Sequence, residues 1–320
     1  MNLLRYTLWR IAGALPVLLV ITFVTFALVR LIPGGPFDVA NGKPVPESMR
    51  ASMQARYGLD KPFLLQFGEY ALNAVRGDFG PSLGQTLGQP VSEIIAARLP
   101  TSMRLGVLAL IIGFSVGIPL GVAAAVNYRR PADTVISALC VLGASVPGIV
   151  LGPLLILLFV NGFGWPGPDP RAWTQAGAWS WEFISRALPP ALALGIGIAA
   201  GIGRLTRASL LQVLDEDFVR TARAKGLRER RVVFWHALKN ALIPIATIVG
   251  PLLAAVLTGT FFIEAIFGVP GLGDTFINSV TDRDYNLLVG VTVLYSTFLI
   301  TGNLLVDLMY AWLDPRIRFG

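Results

Sequence analysis

The sequence predicts an all-α polytopic membrane protein with six transmembrane helices. Three observations carry that prediction. The 320 residues are 54% hydrophobic and only 14% charged, with a mean hydropathy of +0.66. The apolar residues gather into runs of about twenty, the length that crosses a hydrocarbon core of about 30 Å as a helix. The Lys and Arg residues gather in alternate loops, as the positive-inside bias requires.

The first run, Leu8–Val29, follows Arg5 and Arg10 and ends at Arg30-Leu31-Ile32-Pro33. It is too long for a signal-peptide core and reads as a retained span. The others are Thr101–Val126, Thr134–Val160, Ala187–Leu205, Ala241–Phe262 and Leu287–Leu308. Arg129-Arg130, the basic stretch between spans four and five, and Arg316 with Arg318 fall on the side of Arg5 and Arg10. That side reads as cytoplasmic, with both termini inside. Asp274, Asp282 and Asp284 outnumber Arg283 on the other side. The expected division is 1–30 for the N-terminus and first span and 31–100 for an external segment. Residues 101–312 make the core, with a cytoplasmic loop at 209–240, and 313–320 the tail.

The external segment has its own order. Pro46 opens a helical pattern that Gly58 closes, and Pro62 opens one that Gly77 closes, the usual Pro-first, Gly-last asymmetry. In the second, Phe63, Phe67, Tyr70, Ala71 and Ala74 share one apolar face. Such a face suits a helix lying on the bilayer surface and equally a platform for an external partner. Gly113, Gly117 and Gly121 repeat every four residues in span two, and Gly195, Gly197, Gly201 and Gly203 crowd span four. Small residues let membrane helices approach closely. Pro147-Gly148 and Pro153 interrupt span three. The motif Ala144-Ser145-Val146-Pro147-Gly148 is the candidate for a kink lining a pathway.

The polar stretch Glu216 to Pro244 stands out between apolar runs. Seven Lys or Arg residues lie between Arg220 and Lys239, with Glu229 as the only acid. Leu210, Leu214, Phe218 and Ala222 recur every four residues and predict one apolar helical stripe. Gly226 stops that helix and Leu227 follows as the apolar partner of a glycine cap. A second helix is expected from near Arg228. The stretch reads either as a topogenic basic loop or as a docking surface.

Chemistry is sparse. No phosphate-cradling GxxxxGK[ST] loop and no HExxH occur. Cys140 and His236 are the only residues of their kinds, so disulfide frameworks and Cys-based metal sites are excluded. No catalytic constellation and no nucleic-acid signature accompany the net charge of +7. Arg104, Arg204, Arg207, Glu264 and Asp307 sit near span boundaries, where charge either snorkels or serves function. Glu264 either pairs within the turn Ile266 to Gly273 or touches substrate.

These residues together resemble the permease subunit of bacterial ABC importers for oligopeptides, dipeptides and nickel, in its B-type form. The resemblance runs through Leu28-Val-Arg-Leu-Ile-Pro-Gly34, Gly77-Asp-Phe-Gly-Pro-Ser82, Arg220-Thr-Ala-Arg-Ala-Lys-Gly-Leu227, His236-Ala-Leu-Lys-Asn-Ala-Leu-Ile-Pro244, Phe261-Phe-Ile-Glu-Ala-Ile-Phe267, Pro270-Gly-Leu-Gly273, Arg283-Asp-Tyr285 and Asp314-Pro-Arg316. It implies an importer-type permease fold with a cytoplasmic coupling helix. The basic stretch is then the EAA loop, whose turn inserts into a cleft on an ATPase. Arg220-Thr221-Ala222 stands where Glu-Ala-Ala would, and Gly226 holds its place. The glutamate is absent, which removes any salt bridge assigned to it in other branches. Arg220, Thr221, Ala222, Arg223, Lys225, Gly226, Leu227 and Arg228 are the implied coupling residues. Ala222 and Gly226 are expected to admit close backbone approach, with Arg223, Lys225, Arg228 and Arg230 facing an acidic cleft rim. Ser145, Pro147, Gly148 and Glu264 are the candidate pathway residues.

The resemblance further implies peptide import across the bacterial plasma (inner) membrane. The chain binds no cofactor and no metal itself. ATP and Mg belong to one or two partner ATPases. A second permease, an extracytoplasmic binding protein and membrane lipid are the other expected partners. Nickel, glutathione or another small solute is the alternative cargo. A membrane-embedded enzyme is disfavoured for want of catalytic groups.

Overall fold

A computed structural model of the chain describes residues 3–40, 43–84, 86–174, 179–258 and 260–313. The tail residues Arg316 and Arg318, and the Asp314-Pro315-Arg316 motif, lie outside the described residues. The described residues form helices joined by turns and loops, with one short antiparallel ribbon, β1 (Val39–Ala40) with β2 (Lys43–Pro44).

Helix α1 (Leu3–Leu31) is the first span. In the segment after it, α2 (Glu47–Arg56) and α3 (Phe63–Val75) start immediately after Pro46 and Pro62. They stop before Gly58 and Gly77, which take φ of +68° and +79°. The expected apolar face of α3 is used inside the chain. Phe63 and Phe67 pack edge-on against Phe23 of α1, with ring centroids 5.9 and 5.0 Å away. Tyr70 reaches Phe26 at 5.5 Å. That face therefore serves neither the bilayer nor a partner directly.

Helix α4 (Val91–Val126) starts ten residues before the expected second span. It is 36 residues long, about 54 Å at the usual rise per residue. Counting apolar residues finds the hydrocarbon portion of a helix and misses its wet ends. The same holds for α8 (Trp181–Leu214) against the expected Ala187–Leu205. Between them come α5 (Pro131–Ser145), α6 (Gly148–Leu155) with a π-helical continuation at Ile156–Gly162, and the short α7 (Pro170–Thr174). The α5–α6 pair bends by 98° at Val146-Pro147 and passes as one span only with its two halves taken together. Proline at 147 removes an amide donor and disfavours a helical residue before it. Val146 accordingly has an extended backbone, with ψ of 115°.

Helices α4 and α8 form the central pair. Four glycines make their contact close, the first being Gly113, where a Cβ would sit 2.4 Å from Ile198 Cγ2. A Cβ on Gly117 would sit 2.6 Å from the Ala199 carbonyl oxygen, and one on Gly121 2.5 Å from that of Gly203. A Cβ on Gly195 would sit 2.9 Å from Ile112. Gly197 and Gly201 are different, because nothing lies within 4 Å of a side chain there. Their side of α8 is open.

After α8 come α9 (Asp217–Ala224), α10 (Glu229–Arg231), a π-helical turn Val232–Ala237, α11 (Leu238–Ala241) and α12 (Ile243–Thr258). The segments 229–241 and 243–253 meet at a bend of 48°, the basic stretch ending at the bend and the apolar α12 carrying the fifth span. Then follow α13 (Phe261–Ile266), α14 (Leu272–Thr281) and α15 (Tyr285–Leu313), the last span. Four helices are long and apolar enough to cross a membrane, and the count is six with each bent pair taken as one span. The buried Asp284 caps α15 through the Leu287 amide, 3.2 Å away, and accepts from the amides of Leu83 and Gly84 at 3.0 and 3.1 Å. One carboxylate thus ties the segment before α4 to the last span.

Candidate functional site: a basic turn on an apolar floor

The inner face of the basic stretch is a packed floor. Val219 and Ala222 from α9 meet Val122 and Ala125 of α4, Leu210 of α8, and Val232, Val233, Ala237 and Ala241 beyond the turn. Val219, Val232, Ala237 and Ala241 are fully enclosed. Burial at this level ties the turn rigidly to the central α4–α8 pair, since packed interiors transmit displacement.

The expected stripe is corrected here. Leu210 and Ala222 are buried, but Phe218 is 42% exposed and Val219 takes the inward place. The reason is the break at Asp215-Glu216. Helix α8 ends at Leu214 and α9 starts afresh at Asp217, so the period of four does not run through. Ala222 lies on the same inward face, its methyl packed on the chain's own floor.

Gly226 behaves as expected. Its φ is +72° and its amide donates to the Arg223 carbonyl at 2.9 Å. Nothing lies within 4 Å of where a Cβ would point. Leu227 turns inward onto the floor. Arg220, Thr221, Lys225 and Arg228 are exposed. Arg220 reaches Asp217 at 3.4 Å, and the Thr221 hydroxyl donates to the Asp217 carbonyl at 2.9 Å.

Arg223 is already engaged. It bridges the turn to Glu229, with Nη2–Oε1 of 2.7 Å and Nε–Oε2 of 3.2 Å. These hydrogen bonds hold the Glu229 carboxyl below the ordinary carboxylate range and raise Arg223. The clip clamps the two ends of the glycine turn together. It leaves Lys225, Arg228, Arg230 and Arg231 as the outward charge. A groove of about 670 Å³ runs beside it, lined by Gly226, Leu227, Arg228, Arg230, Arg231, Phe234 and Trp235. Trp235 is 78% exposed. This aromatic wall was not foreseen. Adjacent aromatics at the end of a basic run were the available signal.

The structure brings Ser145, Pro147 and Gly148 together at the 98° break. The Ser145 hydroxyl donates to Val141 at 2.7 Å, and Ser145 and Pro147 are exposed on the chain's surface. Glu264 is not with them. It is wholly enclosed, accepting from Thr260 and, at 2.7 Å, from the Gly273 amide. Of its two readings, pairing within the turn is the one the geometry displays. Arg207 does not snorkel alone. It makes a two-pronged contact with Asp133 at the start of α5, Nε–Oδ1 2.6 Å and Nη2–Oδ2 2.8 Å. Asp133 also accepts from the Arg129 amide and the Ser137 hydroxyl, both at 3.2 Å. Among the described residues no cluster of His, Cys, Asp and Glu is placed to hold a metal.

Comparison with known proteins locates this architecture. Residues 117–319 match the family model "Binding-protein-dependent transport system inner membrane component", and residues 3–106 match the N-terminal model of the same systems. The chain is 37% identical to the oligopeptide transport system permease OppB of Haemophilus influenzae, over 99% of this chain and all of that one. It is 40% identical to the dipeptide transport system permease DppB of Bacillus subtilis, over 98% of each. It is 35% identical to OppB of Escherichia coli, over 99% of this chain. Among solved structures, an amino acid ABC transporter matches with a TM-score of 0.54 at 20% identity, covering 69% of this chain and 94% of that one. The inward-facing MetNI methionine ABC transporter matches at 0.56 and 17%, covering 69% and 97%. At those identities the structures support the fold.

Proposed function

Since the chain belongs to the family of binding-protein-dependent transport system inner membrane components, we propose that it is the permease subunit of an ATP-driven peptide importer. The observation that carries the reading is the basic turn. Its inner face is locked to the α4–α8 pair, and its outer face presents cations and aromatics around Gly226. A displacement applied to such a turn passes directly into two spans.

Energy then enters from outside the chain. One or two cytoplasmic ATPases hold the ATP and Mg. Lys225, Arg228 and Arg230 face an acidic rim, and Trp235 and Phe234 seat in an apolar part of the ATPase cleft. A second permease completes the pathway, and the break at Val146-Pro147, with Ser145 and Gly148 beside it, faces that pathway. An extracytoplasmic binding protein delivers the solute. The oligopeptide and dipeptide names of the relatives support peptide as cargo. The alternate basic loops and the even span number support both termini on the cytoplasmic side.

The test lies at Gly226. Any side chain there costs about 1–2 kcal/mol of backbone strain, yet meets nothing within the chain. Gly226→Ala should retain most peptide uptake in cells. Gly226→Trp should insert normally in the membrane and lose uptake together with substrate-stimulated ATPase activity. Normal uptake by the Trp variant would overturn the assignment.

A further inference from the structure

We propose that α3 is a bilayer-surface anchor, with its free apolar stripe resting in the phospholipid leaflet at the Leu31 end of α1. This helix has three arcs, read at about 100° per residue. Phe63, Phe67, Tyr70 and Ala74 face α1. Gln66, Glu69 and Asn73 form a polar arc. Leu64, Leu65, Leu72 and Val75 form the third, and they are 71%, 59%, 68% and 89% exposed. Four large apolar side chains on one stripe of a short helix mark a contact surface.

Three observations choose lipid as the occupant. The first is depth. Phe23 and Phe26 lie about 20 and 24 Å along α1 from Arg10, by the helical rise. In a hydrocarbon layer of about 30 Å, that places α3 within about 10 Å of the far boundary, where interfacial helices sit. The second is direction. Phe63, Phe67 and Tyr70 span two turns of α3, yet all meet the single turn Phe23–Phe26 of α1. Helix α3 therefore crosses the membrane span instead of running along it. The third is continuity. Phe23 touches α3 and is itself 39% exposed beside Val24 and Leu28, which are 47% and 58% exposed. The free stripe and the lipid-facing side of α1 meet at that residue.

The polar arc fits the same seat. Gln66 accepts from Arg30 Nε and Nη2 at 3.1 and 2.9 Å, at the water-facing end of α1. Glu69 pairs with Lys61 at 2.7 Å in the open. Helix α3 would thus set the height of α1 in the bilayer and brace the segment that follows it. This seating follows from where α1 lies in the membrane, whatever the transported solute.

The experiment uses the full chain with its partner subunits, reconstituted in vesicles of phosphatidylethanolamine and phosphatidylglycerol. Single labels are placed by Leu72→Cys, Val75→Cys and Glu69→Cys in a Cys140→Ala background. All three label sites are exposed, and the unlabelled Cys140→Ala protein, which loses a buried thiol, is carried alongside to confirm membrane insertion and assembly. Brominated acyl chains should quench the fluorophore at 72 and 75 several-fold more than at 69, while a water-soluble quencher shows the reverse order. Strong aqueous quenching at 72 and 75 would overturn the anchor in favour of a water-facing platform. Protection from both quenchers would overturn it in favour of a second protein subunit on the stripe.

Discussion

Arg223 and Glu229 illustrate how much of the basic charge is structural. The pair is solvent-exposed, so its net worth is within about 1 kcal/mol. Its value is positional, because it closes the ends of a glycine turn. Glu229 is held below its unfolded value by the Arg223 hydrogen bonds. The clip is therefore whole above the ordinary carboxylate range and is lost as pH falls through the depressed pKa. Amide-exchange protection of Leu227 to Val233, corrected for intrinsic rates, should fall on acidification in that window. Glu229→Gln should show the lower, acid-like protection at every pH. The Asp133–Arg207 contact behaves differently, because Asp133 is only 5% exposed. Asp133→Ala leaves Arg207, 29% exposed, without its partner and takes the acceptor from the Arg129 amide and the Ser137 hydroxyl, so it should cost about 2 kcal/mol, moderated by water at the guanidinium. Asp133→Ala with Arg207→Leu should recover part of that loss in thermal unfolding of the detergent-solubilised protein. Neither pairing was legible in sequence. Asp133 and Arg207 are 74 residues apart, and nothing local marks them as partners.

Helices show the opposite balance. The ends of α2 and α3 were legible because Pro46, Pro62, Gly58 and Gly77 act locally through backbone geometry. The glycine spacing in α4 was legible as packing for the same kind of reason, and the structure separates those glycines that pack from those that do not. Gly117→Ala places a methyl against the Ala199 backbone and forces the helices apart, at about 1–3 kcal/mol. Gly197→Ala meets nothing within 4 Å and should leave the melting temperature unchanged. A thermal-shift measurement on the two variants checks the contrast. Periodicity failed where an element restarts. The stripe through Leu210 and Phe218 assumed one helix, and the two-residue break after Leu214 reset the phase. The face of α3 was found correctly, but its occupant was α1, 40 residues away from Phe63 to Phe23, a contact no local pattern announces.

At the scale of the molecule, the bend at Pro147 and the basic turn at Gly226 pack on one central pair of helices, while Asp284 ties the segment before that pair to the last span. The proposed placement of both termini on the cytoplasmic side predicts that reporter fusions at residue 2 and after residue 320 both report the cytoplasm, and opposite readings would refute it together with the six-span count. Composition and periodicity by themselves determined that the chain is an all-helical membrane protein with six apolar segments and a basic loop before the fifth. They could do so because hydrocarbon solvation acts on each segment independently, through length and polarity alone. Tertiary structure decided the rest. It turned Ala222 inward and Phe218 outward, closed Glu264 into its turn, matched Asp133 with Arg207 and set α3 across α1. Each of these depends on which surfaces meet in space, and a contact free energy belongs to a pair of distant segments, never to one.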